Sequence, residues 1–426
     1  MATPFWYNAA LALLKPVYQW RIQKRAENEQ QYRQECIERF GPFQLPKNLD
    51  TLWFHVVSVG ETNAAQPLIE HYLKLGHPIL VTNTTKTGQA RAKSLFLKAP
   101  YEALFQAVYL PADQKHLVQA FFQKYQPKML VLVETELWPN LIDQAKNAHV
   151  PTLLINARLS EKSAKGYAKV PSLTRPMLLG VDQLLAQDQA SLERFQQLGM
   201  PQSQSQVVGS IKFDIYAPQS FIDQAEQLKS EWQLLSRKII VIASTHAPEE
   251  QLLIEAFKAQ LLLDPALLLI VVPRHPERFN EVYQIAQDLN LNMQRRSLNE
   301  VIESATQVYL ADSMGEMWLW YALSHACFVG GSLNEPGGGH NILEPIALHV
   351  PTVIGPNYFN FQTIIDEFVE AYAVAVGQDA KQIAAMLIDF IENPALASQM
   401  SDNATSIMQK NAGSLAKHIV ILDHYL

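Results

Sequence analysis

The stretch Thr51-Leu-Trp-Phe-His-Val-Val-Ser-Val-Gly-Glu61 passes from an apolar, β-rich run, Leu52 to Val59, into a glycine and a carboxylate. Such a run reads as a strand, and the polar residues at its end as the turn into a helix. Comparable runs recur at Ile79 to Thr82, Met129 to Val133 and Thr152 to Asn156, with helix-like segments between them. A second series follows at Lys238 to Ala243, Leu267 to Val272, Gln307 to Leu310, Ala326 to Val329 and Thr352 to Ile354. Strands alternating with helices predict parallel sheets with helical crossovers. At 426 residues the chain exceeds a single core. The expectation is an α/β protein of two doubly wound domains, residues 41–216 and 217–426, with the last segment, Ser414 to Leu426, packing on either.

A net charge of −7 argues against a nucleic-acid-binding surface, which neutralises phosphates with clustered Lys and Arg. Cys36 and Cys327 lie far apart and belong to no metal-ligand spacing. Residues 1–14 are uncharged and include Phe5, Trp6 and Tyr7, before Lys15 and Pro16 interrupt the run. This is short of the roughly 20 apolar residues of a spanning helix, and it lacks the basic start and cleavage site of a secretory signal. A basic stretch follows, Arg21, Lys24, Arg25, Arg33 and Arg39, diluted by Glu27, Glu29, Glu35 and Glu38. Residues 1–40 therefore read as a membrane-associating segment on the cytoplasmic side of a membrane, with a helix packed on the protein itself as the competing reading.

In open α/β sheets, ligand-binding residues gather at the carboxyl ends of the strands. There stand Ser58-Val-Gly-Glu61, Glu134-Thr-Glu-Leu-Trp-Pro-Asn140 after the third expected strand, Ser244-Thr-His246, Val272-Pro-Arg-His-Pro-Glu-Arg278 and Asp312-Ser-Met-Gly-Glu316. The glycine-dense turn Gly330-Gly-Ser-Leu-Asn-Glu-Pro-Gly-Gly-Gly-His-Asn-Ile-Leu-Glu344 is expected to offer backbone N–H groups to a phosphate, with Asn341 and Glu344 facing the same ligand. Its spacing is neither the dinucleotide fingerprint nor a P-loop.

Together with Thr84-Thr-Lys-Thr-Gly88, Asn156-Ala-Arg-Leu-Ser160 and Gly209-Ser-Ile-Lys-Phe-Asp214, these motifs resemble the 3-deoxy-D-manno-octulosonic acid (Kdo) transferases of Gram-negative bacteria over nearly the whole chain. The resemblance implies a GT-B glycosyltransferase, two Rossmann-like domains facing a central cleft. Its implied reaction moves Kdo from CMP-Kdo to the tetraacyl disaccharide precursor of lipid A, with inversion, at the cytoplasmic face of the inner membrane. Glu61 matches the family's general base, and Glu134 and Lys212 match transition-state-stabilising positions. CMP is implied to lie against Pro273, Arg274, Met314, Gly315, Glu316, Asn341, Ile342, Leu343 and Glu344. Ile342 stands where proline is common in the family, in a loop one residue longer than its pattern.

Each residue also has a plainer reading. Glu61 would serve as a first-turn carboxylate on the helix dipole, Glu134 and Lys212 as a structural ion pair across the cleft, and Met314 as core. No Asp-x-Asp pair occurs, so no metal cofactor is expected, and Lys212 and Arg274 would meet the leaving-group charge. Arg158, Lys162, Lys165, Lys169 and Arg175, with Lys86 and Arg91, are candidates for the acceptor phosphates, or else solvated surface. Rival functions on this architecture are a nucleotide-sugar epimerase and a non-catalytic two-lobed sugar-acid-binding protein.

Overall fold

The computed structural model describes residues 3–426 and divides into two compact units: the chain up to Asp214 with Asn411–Leu426, and Ile215–Lys410. The first unit is built on strands β1 (Leu52–His55), β2 (Ile79–Asn83), β3 (Phe105–Tyr109), β4 (Met129–Val133), β5 (Thr152–Ala157), β6 (Gln183–Ala186) and β7 (Ser205–Val207). They form one parallel sheet in the order β3-β2-β1-β4-β5-β6-β7. The order reverses between β1 and β4, which opens a crevice at their carboxyl ends.

The unbroken apolar runs reflect burial on both faces. Trp53, Leu130, Leu132 and Leu154 pack on one side of the sheet, and Phe54, Val131, Val133 and Ile155 on the other. Truncating Trp53, fully buried, would leave a void costing about 3–5 kcal/mol.

Three strands of this sheet were not anticipated. β3 interrupts its apolar residues with Gln106, and β6 and the largely exposed β7 are short. Glu134 consequently follows the fourth strand. β1 is also shorter than its apolar run, because Ser58 turns out of the strand and caps the helix Val59–Lys74, accepting a hydrogen bond from the Glu61 N–H at 3.3 Å.

The N-terminus forms α1 (Phe5–Arg25) and α2 (Glu29–Phe40). α1 runs through Pro16 without interruption, and among the described residues no helix is long and apolar enough to cross a membrane. One side of α1 docks on the first unit. Tyr7 donates to Asp113 at 2.8 Å, Gln114 donates to the Leu11 carbonyl at 3.1 Å, and Ile22 is buried. The other side leaves Trp6, Leu13, Val17 and Trp20 exposed, at helical spacings that align them in one stripe.

α2 packs on the protein itself, the competing reading for residues 1–40. Glu35, Glu38 and Arg39 are buried. Arg39 donates to Glu35 at 2.7 Å and to the Thr84 carbonyl at 2.6 Å, and lies over the Tyr109 ring, while Glu38 accepts the Tyr109 N–H at 2.8 Å. Arg39 and Glu35 are paired, and Glu38 is held by hydrogen bonds from Gln34, Gln89 and the Tyr109 N–H, as burial of charge requires.

The C-terminal helix Ser414–Asp423 belongs to this same unit. Asp214 accepts the N–H groups of Gly413 and Leu415, and Tyr72 donates to Asp423 at 3.0 Å.

The second unit carries β8 (Lys238–Thr245), β9 (Leu267–Pro273), β10 (Met293–Arg295), β11 (Val308–Leu310), β12 (Ala326–Val329), β13 (Thr352–Ile354) and β14 (Ala375–Val376). They too are all parallel, in the order β10-β11-β9-β8-β12-β13-β14. The three-residue β10 and two-residue β14 lay below the sequence signal. Here the order reverses between β8 and β12, so the turns after Thr245 and Val329 are neighbours.

Candidate active site

At the β1–β4 reversal of the first unit, Glu61 occupies the third position of its helix, three residues after the Ser58 cap. Its carboxylate reaches back along the turn, accepting the Val57 N–H at 2.7 Å and the Ser58 hydroxyl at 3.0 Å. This is close to a capping box, so the plainer helix-terminal role is present in the geometry. The chemistry exceeds it. Burial pushes the Glu61 carboxyl up, the Val57 bond pulls it back, and the negative charges of Glu134 and Glu136 add to the rise, leaving it at about 7. A carboxyl there is half ionised at neutrality, the condition a general base needs.

Glu134 sits at the end of β4 with φ 65°, a left-handed conformation that non-glycine residues adopt at a cost. Its carboxylate pairs with the Lys212 ammonium at 2.7 Å, the two side chains 21% and 25% exposed. The expected ion pair therefore exists, but within one unit, since Lys212 precedes the boundary at Asp214. Asn156, also left-handed at φ 48°, holds the turn that carries Lys212: its Oδ1 accepts the Ile211 N–H at 3.1 Å. Lys212 is thus fixed from two sides, by its partner and by its backbone.

Glu136, His55 and Trp138, to which the sequence alone assigns no role, complete this crevice. Trp138 donates to Glu136 Oε2 at 3.0 Å, and the buried His55 Nε2 lies 3.7 Å from the same oxygen. The signal was present in the Glu134–Pro139 motif, but His55 sits inside an apolar strand, where a histidine reads as core.

Gly88 marks a close packing of helix on strand. A Cβ there would stand 2.9 Å from the Val57 carbonyl and 3.1 Å from Asn83. The adjoining cations are engaged locally: Lys86 pairs with Glu27, and Arg91 donates to Asn63 at 2.7 Å. On the helix Glu161–Ala168, Lys165 pairs with Glu161 at 2.6 Å, and Lys162 and Lys169 are exposed. Arg175 lays its stem against Gly199.

In the second unit Pro273 ends β9, and Arg274 follows it, exposed and, among the described residues, without a side-chain partner in the protein. Met314 is 63% exposed, which excludes the core role, and Gly315 takes φ 88° with open space where a Cβ would point. Glu316 is held by Arg296 at 2.7 and 3.1 Å and by Ser313. Burial pushes its carboxyl up, but the Arg296 and Ser313 bonds outweigh that and keep it below the ordinary range. Asn341 accepts the Leu343 N–H at 3.1 Å and leans on Glu344 at 3.4 Å. Ile342 and Leu343 are buried, so only their backbone can meet a ligand.

The first part of the glycine-dense turn has an occupant within the protein. Glu249, fully buried on the helix Glu249–Leu263, fills its amide cradle. Its Oε2 accepts the N–H groups of His246 and Gly331 at 2.9 and 2.8 Å, and its Oε1 those of Ser332 and Leu333 at 3.0 and 2.8 Å. The N–H of Gly338 goes to Asn357 and that of Gly339 to Gly331. An internal carboxylate thus takes the amides at the start of the turn, and the glycines allow this close approach: a Cβ on Gly330 would meet Glu249 at 2.7 Å.

Residues 34–215 match the model of the 3-deoxy-D-manno-octulosonic-acid transferase (kdotransferase) family, and residues 226–407 that of glycosyl transferases group 1. The chain is 34% identical over 429 residues to a 3-deoxy-D-manno-octulosonic acid transferase of Haemophilus influenzae, covering 99% of this chain and 98% of the relative. A solved C-terminal CMP-Kdo binding domain from Acinetobacter baumannii is 57% identical, covering 45% of this chain and all of that one, with a TM-score of 0.45. A solved glycosyltransferase from Rickettsia africae shares the fold, with a TM-score of 0.53 at 15% identity over 89% of this chain and 99% of its own.

Proposed function

Because this chain belongs to the Kdo transferase family, we propose that it moves Kdo from CMP-Kdo to the tetraacyl disaccharide precursor of lipid A, with inversion, at the cytoplasmic face of the bacterial inner membrane. Family membership makes it a Kdo-transferring enzyme of the GT-B class and sets aside the epimerase and binding-protein alternatives. The donor, the acceptor, the stereochemistry and the base go further. The observation that carries the base is the Glu61 carboxyl, held near neutrality under the charge of Glu134 at the sheet reversal, while the donor, the acceptor and the stereochemistry follow the family resemblance.

In this reading ionised Glu61 takes the proton of an acceptor hydroxyl as its oxygen bonds to the anomeric carbon of Kdo. The bond to the CMP phosphate breaks on the opposite face, and CMP leaves with the electron pair. Lys212 and Arg274 supply the positive charge that the departing phosphate requires, so the reaction needs no divalent cation. Glu134 holds the Lys212 ammonium in place and adds negative charge where the sugar becomes cationic. The exposed face of α1, with Arg21 and Lys24 toward its end, suits a leaflet that carries the acylated acceptor.

The test is CMP release and product mass with the tetraacyl disaccharide in EDTA. Stoichiometric Kdo transfer at undiminished rate supports the reading, whereas transfer only after a divalent metal is restored, or none to this acceptor, removes it.

A further inference from the structure

Three histidines meet at the β8–β12 reversal of the second unit. His246 follows β8, His275 follows β9, and His340 lies in the glycine turn. The His246 and His340 rings lie end to end and within 10° of one plane, their centroids 5.0 Å and their Nε2 atoms 2.8 Å apart, and His275 meets His246 edge-on at 4.9 Å. Gly331 makes room for the pair, since a Cβ there would stand 2.7 Å from the His340 ring.

Two nitrogens at this distance are joined by one proton, donated by one ring and accepted by the other. The neutral pair therefore presents one Nδ1–H and one bare Nδ1, and neither Nδ1 has a protein partner among the described residues. One further proton turns both Nδ1 atoms into donors. Of the carboxylates nearby, Glu249 is committed to four backbone N–H groups and Glu250 to Arg278 at 3.0 Å, while the exposed Glu277 lies 3.5 Å from His275. Arg274 adds an exposed cation with no side-chain partner among the described residues.

We propose that the His246–His340 pair is an anion-binding site that takes up a proton together with its ligand, the ligand being the phosphate or the carboxylate of the nucleotide-linked sugar acid. This rests on the donor assigned above. Without an anion the pair is kept neutral. Burial pushes His340 down to about 4, and His246, Arg274 and His275 push the same way. His246 is lowered by burial, then by His275, Arg274 and Arg278, against the opposing pull of Glu250. An anion between the rings and Arg274 reverses that field. Both histidines are only half-buried, so solvent and ligand reach them.

The test is calorimetric titration of the full chain with CMP at pH 7 in buffers of different ionisation enthalpy, beside His340→Gln and, as an independent second variant, His246→Gln. Steady-state KM for CMP-Kdo at pH 6 and 8 is the other arm. Proton uptake by the wild type that exceeds uptake by either variant supports the site and identifies the phosphate, because a proton taken by CMP itself is common to all three. Equal uptake with CMP, but a KM for CMP-Kdo that rises up to about tenfold per pH unit only in the wild type, identifies the carboxylate instead. Equal uptake together with an equal pH dependence of KM overturns the inference while leaving the donor assignment intact. Failure of the wild type to bind CMP overturns both.

Discussion

Replacing Glu61 with Gln should abolish transfer and yet stabilise the protein at alkaline pH. The carboxyl stands at about 7 in the folded chain against an ordinary 4.5, mainly through burial. Folding thus raises its affinity for a proton. Its charged form is disfavoured by up to about 3 kcal/mol, a penalty absent below pH 4.5, growing between 4.5 and 7, and fully present above 7. Gln cannot ionise, and its carbonyl can still accept the Val57 N–H while its amide faces Ser58. The assay is urea unfolding of the full chain, wild type and Glu61→Gln, at pH 5 and pH 8. The variant should gain little at pH 5 and about 2–3 kcal/mol at pH 8 in the transition that reports the first unit. A variant equally or less stable than wild type at pH 8 would refute the argument that burial, rather than the capping bonds, governs this carboxyl.

The same displacement fixes the pH profile: kcat/KM should climb tenfold per pH unit to about 7 and then level, and a limb near 4.5 would mean another base. Glu249→Gln keeps one oxygen for two of four N–H groups and turns an amide donor against the other two. Two lost bonds to a charged acceptor cost about 3 kcal/mol or more, to be read as a lowered calorimetric midpoint and faster amide exchange at Gly331. On α1, Leu13→Ser removes a side chain 80% exposed in the structure. If the stripe enters a bilayer, binding to anionic vesicles in flotation should weaken by about 2 kcal/mol, roughly thirtyfold, with kcat on soluble acceptor analogues unchanged.

Much of this molecule was legible in the chain because the physics there is local. β1, β4, β8 and β9 announce themselves as apolar runs, and Ser58 and Glu61 announce a helix start by their spacing. What escaped depends on partners distant in sequence. Nothing near Gly331 shows that the first amides of the glycine turn serve Glu249, 82 residues earlier. Arg39 stood in a basic stretch read with the membrane-associating segment, because its acceptors at Thr84 and Leu110 lie at the ends of distant strands. His246 and His340 were visible only as members of separate motifs, and the contact that gives them chemistry exists only once β8 and β12 are neighbours.

The central claim is that Glu61 serves the proton and not the nucleotide. It is tested most directly by single-turnover transfer from CMP-Kdo to the tetraacyl disaccharide, wild type beside Glu61→Gln, with CMP affinity measured on both. The account predicts transfer lost by at least about a hundredfold, the usual contribution of a general base, at CMP affinity within about twofold. Transfer at the wild-type rate in the variant, or loss of CMP binding in parallel with transfer, would contradict it.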